Sequence, residues 1–103
     1  MNQKMFGFDQ KAMMLQMQQA LEESKNRLEQ AVVSGESGGG LVCIELNGNR
    51  KLKSLTINTP IQTMEKEDLE DLLAIALERA LEKANALNDQ EVSSSARQFI
   101  PGL

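Results

Sequence analysis

The chain has no histidine, no tryptophan and no tyrosine, and Cys43 is its only cysteine. Without histidine it lacks the side chain that most often acts as a general base near neutral pH, and also the commonest metal ligand. A single thiol closes no internal disulfide, supplies no four-thiolate zinc site and fits a reducing, cytoplasmic compartment. Three phenylalanines are the only aromatic residues, too few for a stacking platform on single-stranded nucleic acid. No run approaches the roughly 18 apolar residues of a membrane span. Polar residues interrupt the segment from Asn2 to Gln19, where a signal peptide would need continuous apolar sequence. The 103 residues fit one domain, and 11 Lys and Arg against 15 Asp and Glu leave a net charge of −4. That balance argues against a simple polycation that coats DNA or membranes. Composition alone therefore disfavours both an enzyme and a nucleic-acid binder, with neither cofactor nor metal expected.

The first periodic segment runs from about Asp9 to Gln30. Met14, Met17, Leu21, Ser24, Leu28 and Ala31 recur at alternating steps of four and three, the pattern of one helix face. Asp9 is the expected N-cap, with Gly7 blocking earlier helix. Ala31-Val32-Val33 then turns β-branched, and the glycines from Gly35 to Gly40 predict a flexible strand connection. Val42, Ile44 and Leu46 alternate on one face of a strand. Asn47-Gly48 predicts a tight type I′ hairpin, which needs positive φ at both positions. The return strand carries Leu52, Leu55 and Ile57, and the three-residue step from Leu52 to Leu55 predicts a bulge near Lys53-Ser54. Pro60 ends the sheet. Thr63 is the expected cap of a second helix, whose apolar face runs from Leu69 to about Asn88. The fold class is thus α+β: helix, three-stranded antiparallel meander, helix, in two layers. Residues 1–88 form the single domain and 89–103 a poorly ordered C-terminal tail. One sheet face is expected to receive both long helices, and so small a unit is best stabilised as a homodimer.

Several features invite chemistry that their context withholds. Gly35 and Gly40 fit the start of a phosphate loop, but Leu41 and Val42 replace its Lys and hydroxyl residue, and a strand follows rather than a helix. Glu65, Glu67, Asp68, Glu70 and Asp71 spread around a helix instead of converging on a cation. Met5, Met13, Met14 and Met17 have neither His nor a second Cys nearby and read as adaptable packing. Cys43 has no neighbouring cation to lower its pKa and reads as a small apolar residue. The basic residues say more. Lys4, Lys11 and Lys25 fall at multiples of seven and line one helix stripe, while Arg50, Lys51 and Lys53 cluster after the hairpin turn. Through Met64 the chain carries 7 basic and 6 acidic residues, and beyond it 4 and 9, so a +1 segment is joined to a −5 segment. Taken by themselves, these cations are better accounted for by a solvated helix face and a protected hairpin edge than by DNA contact.

Several segments together resemble a known family. They are Met5-Phe6-Gly7, the helix Met13-Met14-Leu15-Gln16-Met17-Gln18-Gln19, and Ser34-Gly35-Glu36-Ser37-Gly38-Gly39-Gly40-Leu41-Val42. Asn47-Gly48, Leu55-Thr56-Ile57, Glu67-Asp68-Leu69-Glu70-Asp71-Leu72 and Pro101-Gly102 follow. In this order and spacing the chain resembles the YbaB/EbfC family of bacterial nucleoid-associated proteins over nearly its whole length. The Gly-Glu-Ser-Gly-Gly-Gly segment followed by Asn-Gly is the most specific part.

The resemblance implies a homodimer in which a shared sheet platform carries helices as tweezer-like arms. It implies non-catalytic binding of double-stranded DNA in the cytoplasm, on the nucleoid, with low sequence specificity and effects on nucleoid organisation and gene expression. Phosphate contacts are expected to dominate, because no helix rich in Arg, Asn and Gln suits base readout. The family's binding region transfers as the helix arms, here Lys11, Lys25 and Arg27 first, with Lys4, Arg50, Lys51 and Lys53 as further DNA-binding candidates. The acidic total predicts weak, salt-sensitive association. The alternative is a scaffolding or protein-interaction dimer linked to DNA-repair or replication proteins, motivated by the surplus apolar stripe at Met13, Met14 and Met17. No membrane partner is expected.

Overall fold

Alternating apolar positions in the middle of the chain and 3.6-residue periodicity at both ends give the order α1 (Asn2–Gln30), β1 (Val32–Ser37), β2 (Val42–Asn47), β3 (Leu52–Ile57) and α2 (Lys66–Phe99). The computed structural model of the chain describes residues 2–99, with side chains from Gln10 to Gln98. The strands form an antiparallel meander in the order β1-β2-β3, so the expected α+β architecture stands. Lys53 is the extra residue of a bulge, because Glu45 pairs with Ser54 while Leu46 pairs with Leu52. The three-residue step in the apolar pattern reports it.

Register places Val42, Ile44 and Leu46 of β2 beside Val33 and Gly35 of β1 and beside Leu52, Leu55 and Ile57 of β3, all on one sheet face. The long helix α2 lies on this face. Ala76, Ala80 and Ala84, at four-residue spacing, are fully buried against Val42, Ile44 and Leu46. Small side chains along that stripe let the helix axis approach the sheet closely. Gly35 is part of the same fit. A Cβ built there would sit 2.2 Å from the Ala76 carbonyl oxygen and 2.3 Å from the Ala80 nitrogen, so only glycine leaves room for the helix backbone. Ser37, also buried, donates its hydroxyl to the Leu72 carbonyl at 2.6 Å, and Arg79 Nη1 donates to the Glu36 carbonyl at 2.6 Å. These contacts anchor α2 over β1 and β2. Inner-face residues of β3 are less covered, Leu52 being 60% and Leu55 47% exposed.

Several expectations are corrected. Helix α1 begins at Asn2 and runs through Gly7 and Asp9. One interior glycine costs a helix only about 1 kcal/mol, which a 29-residue element absorbs. The segment from Gly35 to Gly40 is not all connection, since Gly35, Glu36 and Ser37 complete β1 and only Gly38, Gly39 and Gly40, all at positive φ, make the turn. Asn47-Gly48 does not form a type I′ turn. The Arg50 amide bonds the Asn47 carbonyl at 3.0 Å, the Asn47 amide bonds the Lys51 carbonyl at 2.9 Å, and Arg50 takes the left-handed conformation at φ 68°. This is a three-residue loop, a type I turn closed by a left-handed residue. Gly48 serves a different purpose: its amide donates to the Leu28 carbonyl at 2.8 Å, and a Cβ there would meet that oxygen at the same 2.8 Å.

Thr63 does not cap α2. It ends a 3-10 turn (Ile61–Thr63) and its hydroxyl donates back to Pro60 at 2.8 Å, while the Glu65 carbonyl accepts the first α2 bond, from Leu69, at 3.1 Å. The residues after Asn88, expected in a poorly ordered tail, continue α2 as helix to Phe99; Ile100 to Leu103 lie outside the described residues. Contact with α1 supplies what local sequence does not, because Glu91 and Ser95 pack or bond across to that helix. The sheet also does not receive both helices on its face. Helix α1 packs on the distal half of α2 and on the β2–β3 hairpin, with Ser24 and Leu28 buried. The two helices therefore leave the sheet together as an arm. Its length shows in the extents of 77 × 23 × 16 Å and the radius of gyration of 20.7 Å, against about 13 Å for a compact chain of this size.

Candidate nucleic-acid interface

The β2–β3 hairpin is pinned to the base of α1 by its own loop residues. Asn47 is fully buried, and its Oδ1 accepts the amides of Asn49 at 2.8 Å and Lys51 at 3.0 Å. Asn49 Nδ2 donates to Glu29 Oε2 at 2.7 Å and to the Lys25 carbonyl at 3.4 Å. Lys51 Nζ pairs with Glu29 Oε1 at 3.0 Å. Hydrogen bonds from Asn49 and then Lys51 hold the Glu29 carboxyl below its ordinary pKa. This clasp brings Arg50, Lys51 and Lys53, all exposed, beside Lys25 on the last turns of α1. Arg50 reaches α2 as well, its Nε donating to Asn85 Oδ1. Four cations from two sequence regions thus gather where the arm meets the sheet, with Glu29 as the carboxylate among them.

The remaining candidates fall elsewhere. Arg27 lies on the other flank of α1, where its Nε and Nη2 meet the two carboxylate oxygens of Glu91 at 3.1 and 3.0 Å. Ser24 Oγ donates to the same carboxylate at 2.8 Å. The Glu91 hydrogen bond raises the Arg27 pKa, and Arg27 followed by Ser24 lowers that of Glu91. Lys11 is exposed on α1, 14 positions and so about 21 Å from Lys25 along the helix. Lys4 lies in the opening turns of α1, and its side chain is outside the described residues. Among the described residues, Lys11, Lys25 and Lys53 have no side-chain partner, whereas Arg27, Arg50 and Lys51 each have one.

Sequence reasoning missed the organising residues. Asn47 carried a usable signal, since Asn side chains accept hydrogen bonds from backbone two residues on and favour turns. Glu29, Asn85 and Glu91 carried none, because their partners lie 22, 35 and 64 positions away. Two other surface features do not join this cluster. The acidic residues Glu65, Glu67, Asp68, Glu70 and Asp71 are exposed at the start of α2, where they suit its positive end. Cys43 is half-buried on the outer sheet face, in register with Glu36 and Thr56. Adjoining the clasp, an apolar cleft of about 590 Å³ between α1 and α2 is lined by Met17, Leu21, Val92 and Ala96 together with Lys25 and Asn49 of the clasp itself.

A family model described as the YbaB/EbfC DNA-binding family matches residues 5–99. The chain is 36% identical over 86 residues to a "Nucleoid-associated protein" of Flavobacterium johnsoniae, covering 84% of this chain and 80% of that protein. It is 39% identical over 91 residues to a protein of the same name from Chlorobium limicola, covering 85% and 81%, and 38% identical over 87 residues to one from Legionella pneumophila, covering 84% and 74%. The fold is similar to that of an uncharacterized Helicobacter pylori protein solved by crystallography, with a TM-score of 0.69 at 19% identity over 86% of this chain and 91% of that one.

Proposed function

Because the chain belongs to the YbaB/EbfC DNA-binding family, we propose that it is a non-enzymatic nucleoid-associated protein that binds double-stranded DNA as a homodimer. Binding runs mainly through phosphates, with little sequence preference, and acts on nucleoid organisation and gene expression in the bacterial cytoplasm. The observation that carries this reading is the clasp of the hairpin onto α1, which gathers Lys25, Arg50, Lys51 and Lys53 at the arm base. Lys11 extends the same helix outward by about 21 Å, a span of several phosphates at 3.4 Å per step on one strand.

The dimer is supported by the uncovered part of the sheet. Helix α2 packs on β1 and β2, leaving Leu52 and Leu55 of β3 open at 60% and 47%, with Leu77 of α2 also 41% exposed. A second copy presenting the same strip would bury both, as an isologous interface requires.

Titrating a labelled mixed-sequence duplex at rising salt tests the DNA reading. Affinity should fall with a slope of roughly 0.9 per phosphate contact, and replacing Lys25 and Lys53 with Glu should weaken all duplexes alike. A flat salt response refutes the phosphate mechanism.

A second reading, a scaffold for other proteins such as those of DNA repair, is favoured by one observation. Met13, Met14, Leu15, Met17 and Leu21 are between 42% and 65% exposed along the arm, a larger apolar stripe than DNA contact needs. Retention of a protein partner by a dimer that leaves duplex free at high concentration would favour it.

A further inference from the structure

The Arg27–Glu91 contact differs from the other polar contacts of the arm in its geometry. Guanidinium and carboxylate meet through two N–H···O bonds, at 3.1 and 3.0 Å. The carboxylate is also fixed from the side by the Ser24 hydroxyl at 2.8 Å, and the Glu91 side chain is only 18% exposed while that of Arg27 is 53% exposed. Glu91 is therefore held in place by α1, whereas the cation it neutralises faces solvent. A phosphate and a carboxylate present the same fork of oxygens to a guanidinium. Any DNA strand lying along this flank of α1 thus meets a cation already occupied by an anion of matching shape.

We infer that Glu91 is an internal competitor of the DNA phosphate for Arg27, so that the free protein keeps Arg27 neutralised and binds DNA more weakly and less steeply with salt than it would with that guanidinium free. The inference rests on the DNA-binding reading above. The raised pKa of Arg27 and lowered pKa of Glu91 agree with a pair that stays ionised throughout the neutral range. To use Arg27, DNA must displace the carboxylate or bind beside it, and in either case a negative charge opposes the phosphate. Lys25, on the opposite flank of the same helix turn, is exposed with no side-chain partner among the described residues, so Glu91 does not restrict it as it restricts Arg27.

The test compares the full-length wild type with Glu91→Gln, Arg27→Gln, the double variant and Asp89→Asn. Affinity for one labelled duplex is measured between about 50 and 200 mM salt. Glutamine keeps the length of Glu91 and an acceptor for Ser24, and Glu91→Met serves as a second carboxylate-free variant. Thermal melts confirm that each is folded. One released cation adds about 0.9 to the salt slope, and near 0.1 M salt this amounts to as much as about 8-fold tighter binding per protomer. Glu91→Gln and Glu91→Met should show that gain, and Asp89→Asn, with the same charge change two residues away, should show less than half of it. The gain should vanish when Arg27→Gln is combined with Glu91→Gln. Wild-type binding that Glu91→Gln leaves unchanged or weakens, or a gain that persists without Arg27, overturns the inference and leaves the DNA reading standing. Absence of DNA binding by every form overturns both.

Discussion

Replacing Gly35 with alanine should lower stability more than any other glycine substitution in the turn that follows it. The added Cβ would lie 2.2 Å from the Ala76 carbonyl oxygen and 2.3 Å from the Ala80 nitrogen, more than 1 Å inside an ordinary contact of about 3.5 Å. Both obstacles are helix backbone, so no rotamer change relieves them, and α2 must move off the sheet by roughly the overlap. That shift opens the fully buried layer of Ala76, Ala80 and Ala84 against Val42, Ile44 and Leu46. Overpacking of this kind costs about 1–3 kcal/mol, and more where backbone must move. Removing a glycine from a strand returns about 0.5–1 kcal/mol. Because helix backbone must move, the cost lies at or just above the top of that range, and the net loss is about 2–3 kcal/mol out of the roughly 5–15 kcal/mol typical of a domain. At about 4–8 °C per kcal/mol the melting temperature should fall by roughly 10–20 °C. Circular dichroism melts at one fixed protein concentration measure this, because association would shift the midpoint. Gly39→Ala is the control, with φ 67° and open space around it, so it should lose only the roughly 1–2 kcal/mol of a left-handed alanine. A Gly35→Ala midpoint within about 3 °C of wild type, or above that of Gly39→Ala, would refute the close-packing argument.

Three further outcomes follow from the same contacts. Asn47→Ala removes the acceptor of two loop amides in a fully buried position and should cost about 2–3 kcal/mol. Faster hydrogen exchange at the Lys51 amide is its local signature, and an unchanged rate counts against the Asn47 clasp. The carboxyls of Glu29 and Glu91 have folded pKa values below the ordinary 4.5. Their unfolded forms therefore bind protons first, and the stability they supply is complete above pH 4.5 and lost as pH falls through the lower folded values. Melts across that range should drop toward acid, with a shallower drop in Glu91→Gln; equal slopes would show that Glu91 does not carry the effect. Leu55→Glu, which places a charge on the open strip of β3, should convert the proposed dimer to monomer in sedimentation while leaving helix content intact. A wild-type mass for this variant would move the interface elsewhere.

Elements with strong local period were legible from sequence. The alternation Val42, Ile44, Leu46 and the broken step from Leu52 to Leu55 located two strands and the bulge between their registers. The hairpin was located but its geometry was misread, because Asn-Gly favours a type I′ turn only when nothing else acts on the glycine. Here the Leu28 backbone claims Gly48, and the left-handed residue becomes Arg50. The end of α2 was misread for a similar reason. Ser93, Ser94 and Ser95 are weak helix formers, and the helix persists past them through contacts with α1 that no window of sequence contains. Of the basic candidates, the sequence marked the residue types but could not sort free cations from occupied ones.

By itself the sequence determined the order of elements, the shortage of catalytic and metal-binding side chains, and the unequal division of charge between its two parts, because these depend on residue type and short-range spacing. Tertiary structure alone decided three things. It set α2 against Gly35, folded the hairpin onto Lys25, and gave Glu91 to Arg27, 64 positions away. Each is a contact between segments distant along the chain, where steric fit and charge pairing act across space and leave no periodic trace in the sequence. The net charge of −4 illustrates the division: composition fixes its value, and folding fixes which positive charges are paired and which stay open at the surface.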